Sequence, residues 1–333
     1  MSLTAKTAWT CAGLALLALA ACAINEAECD LECQKGFWMD SGQFPDPCSD
    51  DSNKTCLVSH RVPALSDSEK AVKNVLIAVH GFAASTFEWQ EFKEFAEDTL
   101  PGYDTTHNTL VSLVLMGGHG TNLDAFRASS WKDWGKPIVT EYDTLVKQGY
   151  KNISFACAST GCALLMQFIA DGWLGAGQAP KWIFMIDPIV VPSAKLLSLI
   201  NLVGPILGNS PNRQSPEEER HFYVNQPQED LKQLYELVNR VKNHLESGFE
   251  LPRNTKAKVY KSKRDRSADP IGALLIYKGM RKSDGGHIEV EMLDSRLHVV
   301  TRLRARDPVP SAKDSLLQTR IFKEMIDKSL AGP

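Results

Sequence analysis

The residues with the most chemistry to offer lie between Asn152 and Leu165, around Ser159. An apolar run there reaches a small-residue turn at Ser159 and then continues with helical spacing. A serine on a sharp strand-to-helix turn holds its hydroxyl over the end of a sheet and leaves the following backbone N–H free for an oxyanion. Those are the needs of nucleophilic acyl transfer. Such elbows usually read Gly-x-Ser-x-Gly. Here the stretch is Cys157-Ala158-Ser159-Thr160-Gly161, with the small residue cysteine in place of the first glycine. The competing reading is a buried strand followed by a helix that Ser159 caps.

Other stretches end apolar runs in the same manner. The first run ends Val79-His80-Gly81-Phe82, where the glycine permits a sharp turn. The N–H of Phe82 can then sit beside that of Thr160 as an oxyanion hole. A second run ends Leu115-Met116-Gly117-Gly118-His119-Gly120, a later one Lys263-Arg264-Asp265 with Pro270 following, and the last leads into Asp294-Ser295-Arg296-Leu297-His298-Val299-Val300-Thr301. Serine, acid and histidine thus follow successive runs in the order Ser159, Asp265, His298. Asp269 is the rival acid, and Asp187 a further one. His80 and His119 sit inside glycine turns and read as loop-shaping, while His60, His107, His221, His244 and His287 read as surface or core residues.

The elements that must position these residues begin near Lys73. Apolar runs Val75 to Val79, Leu110 to Leu115, Ile153 to Cys157, Trp182 to Ile186, Val259-Tyr260 and Ile288 to Leu293 read as strands. Helical stretches Thr86 to Glu97, Pro137 to Lys147, Cys162 to Ala170 and Asp314 to Leu330 lie between or after them. That alternation predicts an α/β fold, a mainly parallel sheet with helices on both faces and its chemistry in the loops at the carboxyl ends of the strands. About 65 residues then separate Asp187-Pro188 from the next strand. They contain an apolar piece, Leu196 to Leu207, and a helix starting at Asp230, with Gln233 placed for a capping box and Leu231, Leu234, Val238, Val241 and Leu245 on one face as far as Gly248. This insertion, about 190–255, reads as a helical cap whose apolar face meets the substrate, or else as extra core.

Taken together, the region from Val75 onward resembles the α/β-hydrolase family that includes bacterial carboxylesterases and monoacylglycerol lipases. The resemblance rests on His80-Gly81-Phe82, the Leu115 to Gly120 loop, the Lys261 to Asp265 segment with Pro270, and Ser295 to Thr301, which has one extra residue before the histidine. It implies Ser159 as nucleophile, His298 as general base and acid, Asp265 as the orienting carboxylate, and backbone N–H groups of Phe82 and Thr160 as the oxyanion hole. It requires no metal and no cofactor. The implied activity is hydrolysis of small or monoacyl lipid esters. The altered elbow leaves open a different class, an inactive hydrolase fold kept as an envelope binding module.

The N-terminus reads separately. Lys6 and the apolar run Ala8 to Ala21 form a secretory signal pattern over residues 1–21, too short to span a bilayer comfortably. Its end, Leu19-Ala20-Ala21-Cys22, resembles the lipobox of bacterial lipoproteins, which implies a lipid anchor on Cys22. Ala23 in place of aspartate favours the outer membrane. Residues 22–70 form a polar extension in which Cys29, Cys33, Cys48 and Cys56 read as two disulfides of an exported chain, with pairing left open. His60 is the nearby histidine and the filling is acidic and serine-rich, so a zinc site fits less well. Residues 71–333 make the hydrolase domain. Cys157 and Cys162 flank the serine and read as buried free thiols, because a bridge across the elbow need not meet the roughly 4.4–6.8 Å Cα spacing.

With 43% hydrophobic and 23% charged residues in 333, the chain can bury a sizeable core. A formal net charge of −3 carries no cationic excess and gives no reason to expect a nucleic-acid partner.

Overall fold

The computed structural model describes residues 65–97, 109–174, 177–193, 209–211, 215, 218–306 and 309–331. The stretch expected to be a signal, Cys22, the four N-terminal cysteines, His60, His107 and the Leu196 to Leu207 piece lie outside them.

Six parallel strands form the central sheet: β1 (Asn74–Val79), β2 (Thr109–Val114), β3 (Asn152–Ala158), β4 (Trp182–Ile186), β5 (Lys256–Ser262) and β6 (Glu289–Leu293). Their spatial order is β6-β5-β4-β3-β1-β2. Register pairs Val79 with Val114 and with Cys157, Ala158 with Ile186, Ile186 with Tyr260, and Ser262 with Leu293. The carboxyl ends are therefore level, and His80, Ser159, Asp187, Lys263 and Asp294 emerge from one edge.

Alternation along β1 divides the core in two. Val75, Ile77 and Val79 face one cluster, with Trp134, Ile138, Leu164 and Phe168; Leu76 and Ala78 face the other, with Trp89, Phe92, Ile321 and Phe322. The first face is covered by α4 (Trp131–Lys147) and α5 (Ser159–Ala170), the second by α2 (Gln90–Glu97) and α8 (Ala312–Leu330). Short helices α1 (Asp67–Val72) and α3 (Leu123–Ala128) complete this part of the chain. Helix α4 starts six residues before Pro137 because Ser130 and Asp133 form a reciprocal capping box, and the proline is accommodated within the helix.

Helix α6 (Gln228–Ser247) carries the stripe expected of a cap, yet Leu234, Leu237, Val238, Val241 and Leu245 belong to the first core cluster, and the helix packs on α5 and on α7 (Ile271–Gly279). This apolar face is core. Among the described residues, the part of the insertion that reaches the carboxyl ends of the strands is Glu218 to Tyr223. Tyr223 N–H donates to the Ala83 carbonyl at 2.8 Å, its hydroxyl donates to Gly118 O at 3.0 Å, and Glu218 pairs with Arg302 at 2.5 Å. The predicted start of α6 is also corrected. Pro227 is its N-cap with no side-chain bond, and Gln233 instead accepts from Trp131 N–H at 3.2 Å, tying α6 to the start of α4. Among the described residues no helix is long and apolar enough to cross a membrane.

Candidate active site

The site is built on the level carboxyl edge. β3 ends at Ala158 and α5 begins at Ser159, whose φ of +47° puts a non-glycine residue in the left-handed region. Ser159 does not cap its helix: the N-cap is Ala158, without a side-chain bond. The strained turn instead projects the serine hydroxyl away from the helix. Gly161 allows the turn to nest against β1, since a Cβ there would lie 2.6 Å from the His80 carbonyl oxygen. Cys157, wholly buried, fits where a glycine is usual because its thiol points across to β4 and donates to the Phe184 carbonyl at 3.5 Å. Cys157 and Cys162 are both free thiols.

His298 meets both of its expected partners. Nε2 lies 2.9 Å from Ser159 Oγ and Nδ1 lies 2.8 Å from Asp265 Oδ2. A carboxylate only accepts, so the proton sits on Nδ1 and Nε2 is left to accept from the serine hydroxyl. Burial pushes the Asp265 carboxyl up, but the adjacent His298 ring and the Lys261 ammonium outweigh it and hold the group below the usual carboxylate range. Its other oxygen accepts from Ser267 N–H at 2.8 Å and Ala268 N–H at 3.2 Å. Asp269 is elsewhere: its Oδ1 accepts from Ile271 N–H at 2.9 Å at the start of α7. Asp187 accepts from Val299 N–H at 2.9 Å and from Ser262 N–H at 2.7 Å, so it touches the two loops rather than the histidine ring.

Opposite Ser159 lies the turn after β1. Gly81 approaches so closely that a Cβ on it would be 3.2 Å from Ser159 Cβ. The N–H groups flanking Phe82 are engaged, Gly81 N–H by Glu88 Oε1 at 2.8 Å and Ala83 N–H by His119 Nε2 at 3.3 Å. Thr160 occupies the first turn of α5, where backbone N–H groups have no partner within the helix. Phe82 is held by ring contacts with Phe126 and Trp134 at centroid distances of 5.4 and 5.6 Å.

His80 and His119 act as loop staples. His80 Nδ1 donates to Gly81 O at 2.9 Å and Nε2 accepts from Met116 N–H at 3.1 Å; His119 Nδ1 donates to Gly117 O at 3.1 Å. Burial lowers His80 to about 4, and burial with the neighbouring His80 ring puts His119 well below its ordinary value, so both stay neutral. The remaining described histidines have other partners: His221 stacks on Phe87 at 3.8 Å, His287 stacks on Tyr277 at 4.1 Å, and His244 lies 3.9 Å from Asp171.

Several residues that serve the site have no signal of their own in the sequence. Arg306 donates to the carbonyls of His298 at 2.6 Å and Val299 at 2.7 Å, fixing the loop from behind; burial and the nearby Arg302 lower it to about 10. Burial raises the Glu88 carboxyl against the opposing pull of Arg302 and His298. Lys261, with no exposed side-chain surface, lies against Asp265 and 3.5 Å from Asp187 Oδ1. Asp187, Asp265 and His298 offer ligand atoms within 4.8 Å of one another, as a metal site would. The Lys261 ammonium already takes the carboxylate oxygens such a cation would need.

No protein-family model matches the chain. A carboxylesterase of Bacillus subtilis (strain 168) is 23% identical over 246 residues, 72% of this chain and 90% of that protein. Among solved structures, a soluble variant of the monoglyceride lipase of Saccharomyces cerevisiae in complex with a substrate analog superposes with a TM-score of 0.60 at 8% identity, covering 80% of this chain and 90% of the lipase. A structure from the metagenome-derived lipolytic enzymes LipS and LipT superposes with a TM-score of 0.56 at 21% identity, over 78% and 94% of the two chains. The fold is that of the α/β hydrolases, as the order of motifs predicts.

Proposed function

We propose that the chain is a serine hydrolase of carboxylic esters, acting on small or monoacyl lipid esters. The single observation that supports this most directly is the pair of contacts made by His298, one to Ser159 and one to Asp265, at the level carboxyl edge of a parallel sheet. In this reading Ser159 Oγ attacks the ester carbonyl carbon as His298 Nε2 takes the hydroxyl proton. The N–H groups of Phe82 and Thr160 receive the oxyanion. Collapse expels the alcohol, which takes the proton back from His298, and leaves an acyl ester on Ser159. Water then attacks with His298 as base, releasing the acid and restoring the serine hydroxyl. Asp265 keeps Nδ1 protonated and stabilises the transient imidazolium. The names of the B. subtilis relative and the yeast lipase agree with ester chemistry. Cys157, the feature that suggests an inactive binding module, leaves the Ser159–His298 contact in place.

The reading extends to location. A lipid on Cys22 would tether the domain to the bacterial envelope, with the outer membrane favoured by Ala23, and the extension would carry two bridges among Cys29, Cys33, Cys48 and Cys56. A fluorophosphonate probe tests the chemistry: wild-type protein is labelled and Ser159→Ala is not. Folded wild-type protein that resists labelling would instead fit the binding module.

A further inference from the structure

Between the acid loop and the histidine loop lies a buried group that a triad by itself does not require. Lys261, Asp187 and Asp265 have side chains with no exposed surface. The Lys261 ammonium bridges Asp265 Oδ2 and Asp187 Oδ1. Besides the lysine, Asp265 Oδ2 meets His298 Nδ1, and the other contacts of the two carboxylates are mostly to backbone N–H groups. Asp265 Oδ1 holds Ser267 and Ala268, while Asp187 accepts from Ser262 N–H and Oγ at the end of β5 and from Val299 N–H beside the histidine. Asp187 and Val299 are held at φ of +45° and +62°, conformations that non-glycine residues keep only where their surroundings impose them. A clamp that joins β4, β5 and the histidine loop supplies such surroundings.

The charges also matter. Lys261 alone beside Asp265 would cancel much of the negative charge that stabilises an imidazolium. With Asp187 included, the three groups carry one net negative charge, as a lone carboxylate would. Without the lysine, two ionised carboxylates would lie with His298 within 4.8 Å of one another and favour the imidazolium more than a lone carboxylate does. Among the described residues, Glu88 and His298 also act on one another, with Arg302 and Arg306 acting on Glu88, and Arg306 donates to the carbonyls of His298 and Val299.

We propose that Lys261 and Asp187 are positioning residues that form with Asp265 a carboxylate–ammonium–carboxylate unit, which fixes the two loops and sets the basicity of His298. The proposal rests on the hydrolase reading for its consequence in turnover, but the unit itself is measurable without turnover.

The experiment follows the His298 ring by NMR in full-length protein carrying labelled histidine, with His298→Gln to assign the signal, alongside pH profiles of p-nitrophenyl ester hydrolysis. In Lys261→Met the loss of a cation favours the imidazolium, so the His298 midpoint and the acidic limb of the profile move up by about one pH unit. In Asp187→Asn both move down by a similar amount. The double variant restores the net charge and returns the midpoint to within about 0.3 of wild type, with kcat still reduced because the clamp on Val299 is gone. Lys261→Gln replaces the methionine variant if that one does not fold. An unchanged His298 midpoint in folded single variants, or two shifts of the same sign, overturns the proposal even if the wild type hydrolyses esters. Wild-type protein that neither turns over ester nor labels at Ser159 sinks the hydrolase reading, while the titration still decides this one.

Discussion

Gly161 and His80 are in backbone contact: any Cβ at Gly161 would lie 2.6 Å from the His80 carbonyl oxygen, and 2.8 Å from that of Val79. The elbow that carries Ser159 is thereby pressed against the strand that leads to the oxyanion turn. Gly161→Ala must push β1 and α5 apart. We expect it to destabilise the protein by about 1–3 kcal/mol and to reduce fluorophosphonate labelling of the fraction that stays folded. Cys157→Ala removes only a thiol facing Phe184 and should cost about 1 kcal/mol or less. Chemical denaturation of the two variants, with labelling in native buffer, compares them; equal effects would count against the close contact.

Asp265 and Asp269 separate the same way in function. Asp265→Asn replaces the carboxylate against His298 Nδ1, and ester turnover should fall by about 10⁴, as it does for the aspartate of serine proteases. Asp269 accepts from Ile271 N–H at the start of α7, a bond that an asparagine side-chain oxygen can also accept, so Asp269→Asn should stay within about threefold of wild type. Turnover with melting curves on both variants makes the test. A crippled Asp269→Asn would move the acid to the wrong side of the loop.

Asp230 gives a pH dependence of stability. It sits in the first turn of α6, wholly buried, with neither carboxylate oxygen hydrogen-bonded among the described residues. Burial, then the nearby Glu229 charge, raise it to about 8, with Arg127 a minor opposing influence. A folded-state value above the unfolded one, about 3.9, means the folded chain holds the proton more tightly. Stability therefore falls as pH rises between about 4 and 8. Asp230→Asn removes that loss, so its melting temperature should exceed the wild type's by on the order of 5 °C at pH 8 and match it near pH 4. A constant offset between the two curves across that range would show that the carboxyl does not titrate there.

Anchoring is tested on whole cells. Wild-type protein should partition into detergent, and Cys22→Ser should be secreted or remain as precursor. Mass spectrometry of exported protein without reduction should find no alkylatable thiol among Cys29, Cys33, Cys48 and Cys56. Identical partitioning of both forms argues against the lipid, and four free thiols argue against the bridges.

The sequence alone determined the parts whose physics is local. Gly117 and Gly161 sit where only a missing Cβ lets another backbone approach, and the apolar runs of β1, β3 and β4 are continuous because both faces are covered. Ser159 was legible because it directly follows such a run, and His298 because it follows the last strand, β6, within five residues. The tertiary structure decided what depends on partners far along the chain. β5 is seven residues long but shows only Val259-Tyr260 as an apolar run, because Lys256, Lys258 and Lys261 interrupt it. Lys258 is tolerated through Glu291, at 2.9 Å, and Glu324, and Lys261 through Asp187 and Asp265. Helix α7 is hidden for the opposite reason: Ile271 to Tyr277 is apolar on nearly every side, so no periodicity marks it. Whether the stripe on α6 was cap or core, and whether Gln233 served its own helix or α4, depended on which surface lay opposite. A stripe or a polar side chain states what it needs, and only the packed chain states which partner supplies it.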